Sequence, residues 1–160
     1  MKRPNKLAIC VTFHYVAERL RYLSAIASQF PTLADEVHLT VVTNAGTDAE
    51  RHSVLQSVPT QGLRADLFLP IGIGHPYLLP WSHFSVFRRL ANDETYSHFL
   101  YVEDDLEVTE KNVKYWVAAR EMLRSVRLIP SFLRIEYRDD DLSTPRSTDC
   151  KRQVRFAECS

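Results

Sequence analysis

Lys6-Leu-Ala-Ile-Cys-Val-Thr-Phe13 is an almost unbroken apolar run of strand length. A short apolar run of this kind, followed by a helical pattern, reads as a first strand. The helix comes directly after it. Val16, Leu20, Leu23, Ala27 and Phe30 recur at helical spacing until Pro31 stops the pattern. Val37–Thr43 reads as a second strand and Asn44-Ala-Gly46 as a turn, after which Thr47 stands three residues before Glu50. That spacing is a capping box, in which each side chain satisfies the other residue's backbone N–H, and it opens a helix from about Asp48 to Ser57.

Asp66–Pro70 gives a short third strand. Ser82 is read as the cap of a helix that carries Phe84, Phe87 and Leu90 on one side and ends near Asn92. His98–Val102 is a fourth strand, apolar on both faces and therefore expected at the centre of its sheet. Thr109 caps a long helix whose Val113, Trp116, Val117, Leu123 and Val126 face a core, Pro130 ends that segment, and Ser131–Tyr137 forms a fifth strand.

This alternation predicts an α/β fold, a three-layer α/β/α sandwich with a mainly parallel sheet, in a single domain over residues 1–137. Residues 138–160 are polar with few core positions and read as a tail that is mobile or only locally docked. Ligands of such sheets bind outside the carboxyl ends of the strands, where the strand order reverses. Thr12–Tyr15, Thr43-Asn44 and Glu103–Asp105 all fall on that edge.

Twenty basic residues balance twenty acidic ones, which removes the broad positive field of a protein that grips polynucleotides through their phosphates. No apolar run approaches the roughly 20 residues that span a bilayer. Lys6–Phe13 is short and lacks a following small-residue cleavage pattern, so it is read as a strand and not as a secretory signal. The three cysteines, Cys10, Cys150 and Cys159, form no C-x-x-C pair, which points to a reducing cytoplasm with Cys10 as a core residue.

Glu103-Asp104-Asp105 directly follows the fourth strand. Adjacent carboxylates repel, and a fold that gathers them at the mouth of a strand commonly offsets that cost with a cation or with donors. A metal or nucleotide site is the favoured reading; a solvated acidic turn that caps the next helix together with Glu107 and Glu110 is the alternative. Elsewhere the plainer reading is favoured. Gly72-Ile-Gly74 lacks the Lys-Ser/Thr pair and the third glycine of phosphate loops, and His75 and His83 have no partners at ligand spacing. Asp139–Asp141 reads as a solvated loop ahead of a base or second metal contact, and Arg88-Arg89 as a solvated helix face ahead of a phosphate clamp.

Tyr101-Val-Glu-Asp-Asp-Leu-Glu-Val108 resembles the metal motif of glycosyltransferases of the GT-A fold, where a D-x-D or E-D-D triplet follows a buried strand. The Trp81–His98 segment, a helix feeding that strand, fits the same pattern. The resemblance implies a nucleotide-diphospho-sugar transferase-like domain with a Rossmann-like N-terminal half, using Mn2+ or Mg2+ and a nucleotide-sugar donor. It implies Asp105 and then Glu103 as metal ligands. In extended backbone these two share a face, which leaves Asp104 for a ribose or sugar hydroxyl. By the same resemblance Thr12, Phe13, His14 and Tyr15 hold the nucleoside, with Phe13 or Tyr15 stacked on the base, Asn44 on base or ribose, and Arg88 on a phosphate. The activity implied is transfer of a sugar to an unidentified glycan, lipid or protein acceptor.

The pattern departs from the family after the motif, where only one further strand and the polar tail remain, so the donor half reads as present and the acceptor half as short. A nucleotide-binding domain without turnover is therefore the alternative. Nucleotidyl transfer ranks lower, because the loop after the first strand has no glycine.

Overall fold

Lys6–Phe13 is strand β1, and all its residues but the first are buried; β2, Glu36–Thr43, shows the same pattern. This computed structural model describes residues 3–132, 134–138 and 141–147. With β3 (Arg64–Phe68) and β4 (His98–Glu103), the two strands make a four-stranded parallel sheet in the order β3-β2-β1-β4. The fold is α/β, a parallel sheet flanked by helices, compatible with a Rossmann-like arrangement.

The two faces of β1 and β2 bury different partners. Leu7, Ile9, Val11 and Phe13, with Leu39 and Val41, pack against α1 (Leu20–Ala27) and α2 (Asp48–Gln56) through Leu23, Ile26, Ala27 and Val54. Cys10 and Val42, on the other face, pack against Leu79 and against Val86 of α3 (His83–Leu90). Connection handedness accounts for this division. From β1 to β2 to β3 the chain steps one way across the sheet, and right-handed crossovers put α1 and α2 on one face. From β3 it returns past β1 to β4, and the same handedness puts α3 on the opposite face. Cys10 lies fully inside, and burial pushes its thiol up to about 12.

Helix starts follow their local chemistry. At α2 the Glu50 N–H donates to Thr47 Oγ1 at 3.2 Å, while Glu50 Oε2 accepts from the N–H groups of Thr47 at 2.9 Å and Gly46 at 2.7 Å. Those backbone donors hold the Glu50 carboxyl below its ordinary value. At α4 (Glu110–Leu123) the Asn112 N–H donates to Thr109 Oγ1 at 3.3 Å and the Thr109 N–H returns to Asn112 Oδ1 at 2.9 Å.

Several expectations are corrected. β4 is not central: among the described residues it pairs only with β1, and Val102 alone of its residues is buried. No residue of α4 is buried, Trp116 included, and Val126 is exposed. Val113, half-buried, does pack against the main core as its spacing suggests, but the rest of the apolar pattern finds no comparable burial among the described residues. Ser82 does not cap α3; it has helical φ and ψ and makes no capping bond, because a 3-10 segment, Pro76–Ser82, already leads into the helix.

The chain divides into two compact units, Met1–Ala118 and Ala119–Ser160. In the second, β5 (Ile135–Arg138) pairs antiparallel with β6 (Asp141–Ser147) and does not extend the parallel sheet. Residues 141–147, read as tail, are therefore a strand; main-chain pairing asks for no apolar pattern. Among the described residues no helix is long and apolar enough to cross a membrane.

Candidate functional site

The strand order reverses between β1 and β4, and Thr12 stands in register with Glu103 at that junction. Beyond these carboxyl ends opens a cleft of about 240 Å³. Thr12 and His14 form one side, Glu103 and Asp104 another, and Pro76, Tyr77, Leu79 and Pro80 of the 3-10 segment form the facing wall. Its position is the one that parallel α/β sheets offer to ligands.

The acid triplet has roles other than those alternation predicts. β4 stops at Glu103, and the Leu106 N–H closes a turn on the Glu103 carbonyl at 3.1 Å, so the pleat no longer sorts the next two side chains. Glu103 and Asp104 line the cleft, while Asp105 is not among its walls. Asp104 is 5% exposed and is gripped by a forked pair from Arg19, Nε to Oδ2 and Nη2 to Oδ1, each 2.8 Å. The same Nη2 reaches Asp105 Oδ2 at 3.3 Å. Hydrogen bonding to Asp104, working against burial, raises the Arg19 pKa and keeps the guanidinium charged. Of the triplet, Glu103 and Asp104 line the cleft, and both Asp104 and Asp105 meet Arg19.

Arg19 was not identified from sequence. It lies far from the triplet in the chain, in the short 3-10 turn Ala17–Arg19 after β1, and only tertiary folding joins them.

Thr12 is 7% exposed, and neither its hydroxyl nor the Tyr101 phenol has a complete hydrogen bond. Burial raises the Tyr101 pKa, with the neighbouring Thr12 hydroxyl acting in the opposite sense. His14 is exposed on the cleft wall.

The remaining predicted residues separate. Phe13 is wholly buried on the α1 and α2 face, with its ring edge-on to Tyr15 at 6.1 Å, and base stacking by Phe13 is excluded by that burial. Asn44 Oδ1 accepts from the Tyr15 N–H at 2.7 Å, tying the carboxyl ends of β1 and β2 together. Arg88 does not line the cleft; it borders a separate hollow of about 270 Å³ with Phe84, Phe87 and Phe99. His83 stacks on Tyr101 at 4.2 Å and contacts the Pro80 carbonyl, a structural role. Asp139 and Asp140 lie outside the described residues, and Asp141 begins β6.

Among the described residues no group of three or more His, Cys, Asp or Glu is placed to hold a metal ion. The cleft instead offers two carboxylates, Glu103 and Asp104. Three acids against the single Arg19 leave two net negative charges around it, a field that favours a dication. Compared with known proteins, the chain matches no protein-family model and no curated protein.

Proposed function

We propose that the cleft binds the diphosphate of a nucleotide-sugar through Mn2+ or Mg2+, and that the protein transfers the sugar to an acceptor hydroxyl. The overall architecture on this reading is a three-layer α/β/α domain of the nucleotide-diphospho-sugar transferase kind, working in the cytoplasm. The observation that carries it is the placement of Glu103 and Asp104 at the carboxyl end of β4, beside the end of β1, where the strand order reverses.

A cation of this type is commonly held by one or two carboxylates, with substrate phosphates completing its shell, and two carboxylates are what the cleft supplies. When bound, it would offset the charge that collects on a departing diphosphate. Glu103, which has no ion-pair partner among the described residues, holds it. Asp104 adds negative charge to the site, and the fork from Arg19 fixes its carboxylate in place. Asn44 and Tyr15 brace the loop ends on which the nucleoside would rest.

Calorimetry with UDP and GDP in the presence of Mn2+ tests the reading. Glu103→Gln is expected to weaken the Mn2+-dependent affinity about tenfold or more, the equivalent of about 1.4 kcal/mol. Absence of diphosphate binding with Mn2+, or binding indifferent to Glu103→Gln, removes the proposal.

A second reading, nucleotide binding without turnover, is favoured by the way Arg19 already engages both Asp104 and Asp105 and offsets one of their two charges. An assay of donor hydrolysis separates the two. Nucleotidyl transfer gains no support, since the loop after β1 carries no glycine to approach phosphates.

A further inference from the structure

Tyr77 lines the cleft yet is 85% exposed. An exposed aromatic ring on a cleft wall can cover an apolar face of a ligand. Its surroundings hold it in position. The Tyr77 N–H donates to His75 Nδ1 at 3.2 Å, the Leu78 N–H closes on the His75 carbonyl at 2.9 Å, and the His75 and Tyr77 rings lie 4.9 Å apart. Pro76, between them, stiffens the turn.

Other walls of the cleft carry the carboxylates of Glu103 and Asp104, and the buried Thr12 hydroxyl, which completes no hydrogen bond among the described residues. Among the described residues no lysine or arginine lines it. The cleft therefore combines an apolar ring with hydrogen-bonding groups and no positive charge of its own. A pyranose matches this combination, with a C–H face for the ring and hydroxyls at its edge. The volume of about 240 Å³ is below the roughly 300–1,000 Å³ of sites that enclose a drug-sized ligand, so it suits one ring of a longer molecule.

We infer that the cleft contains a sugar subsite in which the Tyr77 ring stacks on the C–H face of a hexopyranose and Thr12 Oγ1 bonds one of its hydroxyls. The assignment rests on the nucleotide-sugar reading of the same cleft. His75 is the positioning residue for the Tyr77 ring.

The test is calorimetry and saturation-transfer NMR on the intact chain with Mn2+, using UDP, GDP, UDP-glucose, UDP-N-acetylglucosamine, GDP-mannose and the methyl glycosides of glucose and mannose. At least one nucleotide-sugar is expected to show sugar-proton saturation on irradiation of the aromatic protons. Tyr77→Ala then lowers its affinity about three- to tenfold and leaves the matching diphosphate unchanged, while Tyr77→Phe retains the wild-type affinity. Equal loss for diphosphate and nucleotide-sugar, or loss for neither, overturns the subsite while leaving the nucleotide reading standing. If no diphosphate binds the wild type, that reading fails and the methyl glycosides decide. Sugar-proton saturation that Tyr77→Ala abolishes upholds the subsite; saturation absent from the wild type, or unaltered by the substitution, overturns it. A matching thermal melt confirms that the exposed substitution leaves the fold intact.

Discussion

Asp104 is the one acid in the buried class among the described residues, and its position depends on a single cation, Arg19. Arg19→Met would leave a carboxylate in a site only 5% exposed without its fork of donors. Because the Arg19 side chain is itself 36% exposed, the loss falls short of that for a fully buried pair, at about 1–3 kcal/mol in a denaturant titration. Arg19→Lys keeps the charge but not the fork and recovers only part of it. Cys10 tests burial differently. With its thiol pushed up to about 12, it carries almost no thiolate near neutrality. In a variant with Cys150 and Cys159 changed to Ser, Cys10 is expected to react with a thiol reagent only as fast as the protein unfolds. Its interior place was legible because it stands in an unbroken apolar run. The grip of Arg19 on Asp104 was not, since nothing local ties a residue in the first connection to one after the fourth strand.

Secondary-structure elements were legible where local chemistry settles them. The Thr47 and Glu50 pair, seen from spacing alone, forms both of its bonds. Backbone donors depress the folded pKa of Glu50, so its contribution is present above the ordinary glutamate range and is lost as pH falls through that range toward the folded value. Urea midpoints of wild type and Glu50→Gln are therefore expected to differ near about pH 7 and to draw together as pH falls below the ordinary glutamate range. β4 and α4 show the limit of such reading. An apolar pattern gives the type of element, but β4 proved to be an edge strand among the described residues, and α4 buries none of its residues. The triplet illustrates the same limit at finer grain. Alternation assigns opposite faces to Asp104 and Asp105 only while the strand continues, and it ends at Glu103.

At the scale of the whole molecule, protection follows the order of the sheet. β1 is paired on both sides, and β1 and β2 are almost wholly buried, whereas β3 and β4 are flanked on one side only among the described residues. Native-state hydrogen exchange is expected to find the slowest amides within Lys6–Phe13 and Glu36–Thr43, opening only with global unfolding, and faster exchange in β3 and β4. The reversal of strand order that makes the cleft is likewise a property of the assembled sheet. By itself the sequence determined the strand-helix alternation, the interior place of Cys10, the caps at Thr47 and Thr109 and the position of the acids at a strand's carboxyl end, because each depends on neighbours within a few residues. Tertiary structure alone decided that β4 lies beside β1, that Arg19 takes Asp104 and Asp105, that Phe13 and Arg88 stand away from the cleft, and that Tyr77 forms its wall. A local pattern states which faces need partners; which distant residues meet them is settled by chain crossings and by the packing that those crossings permit.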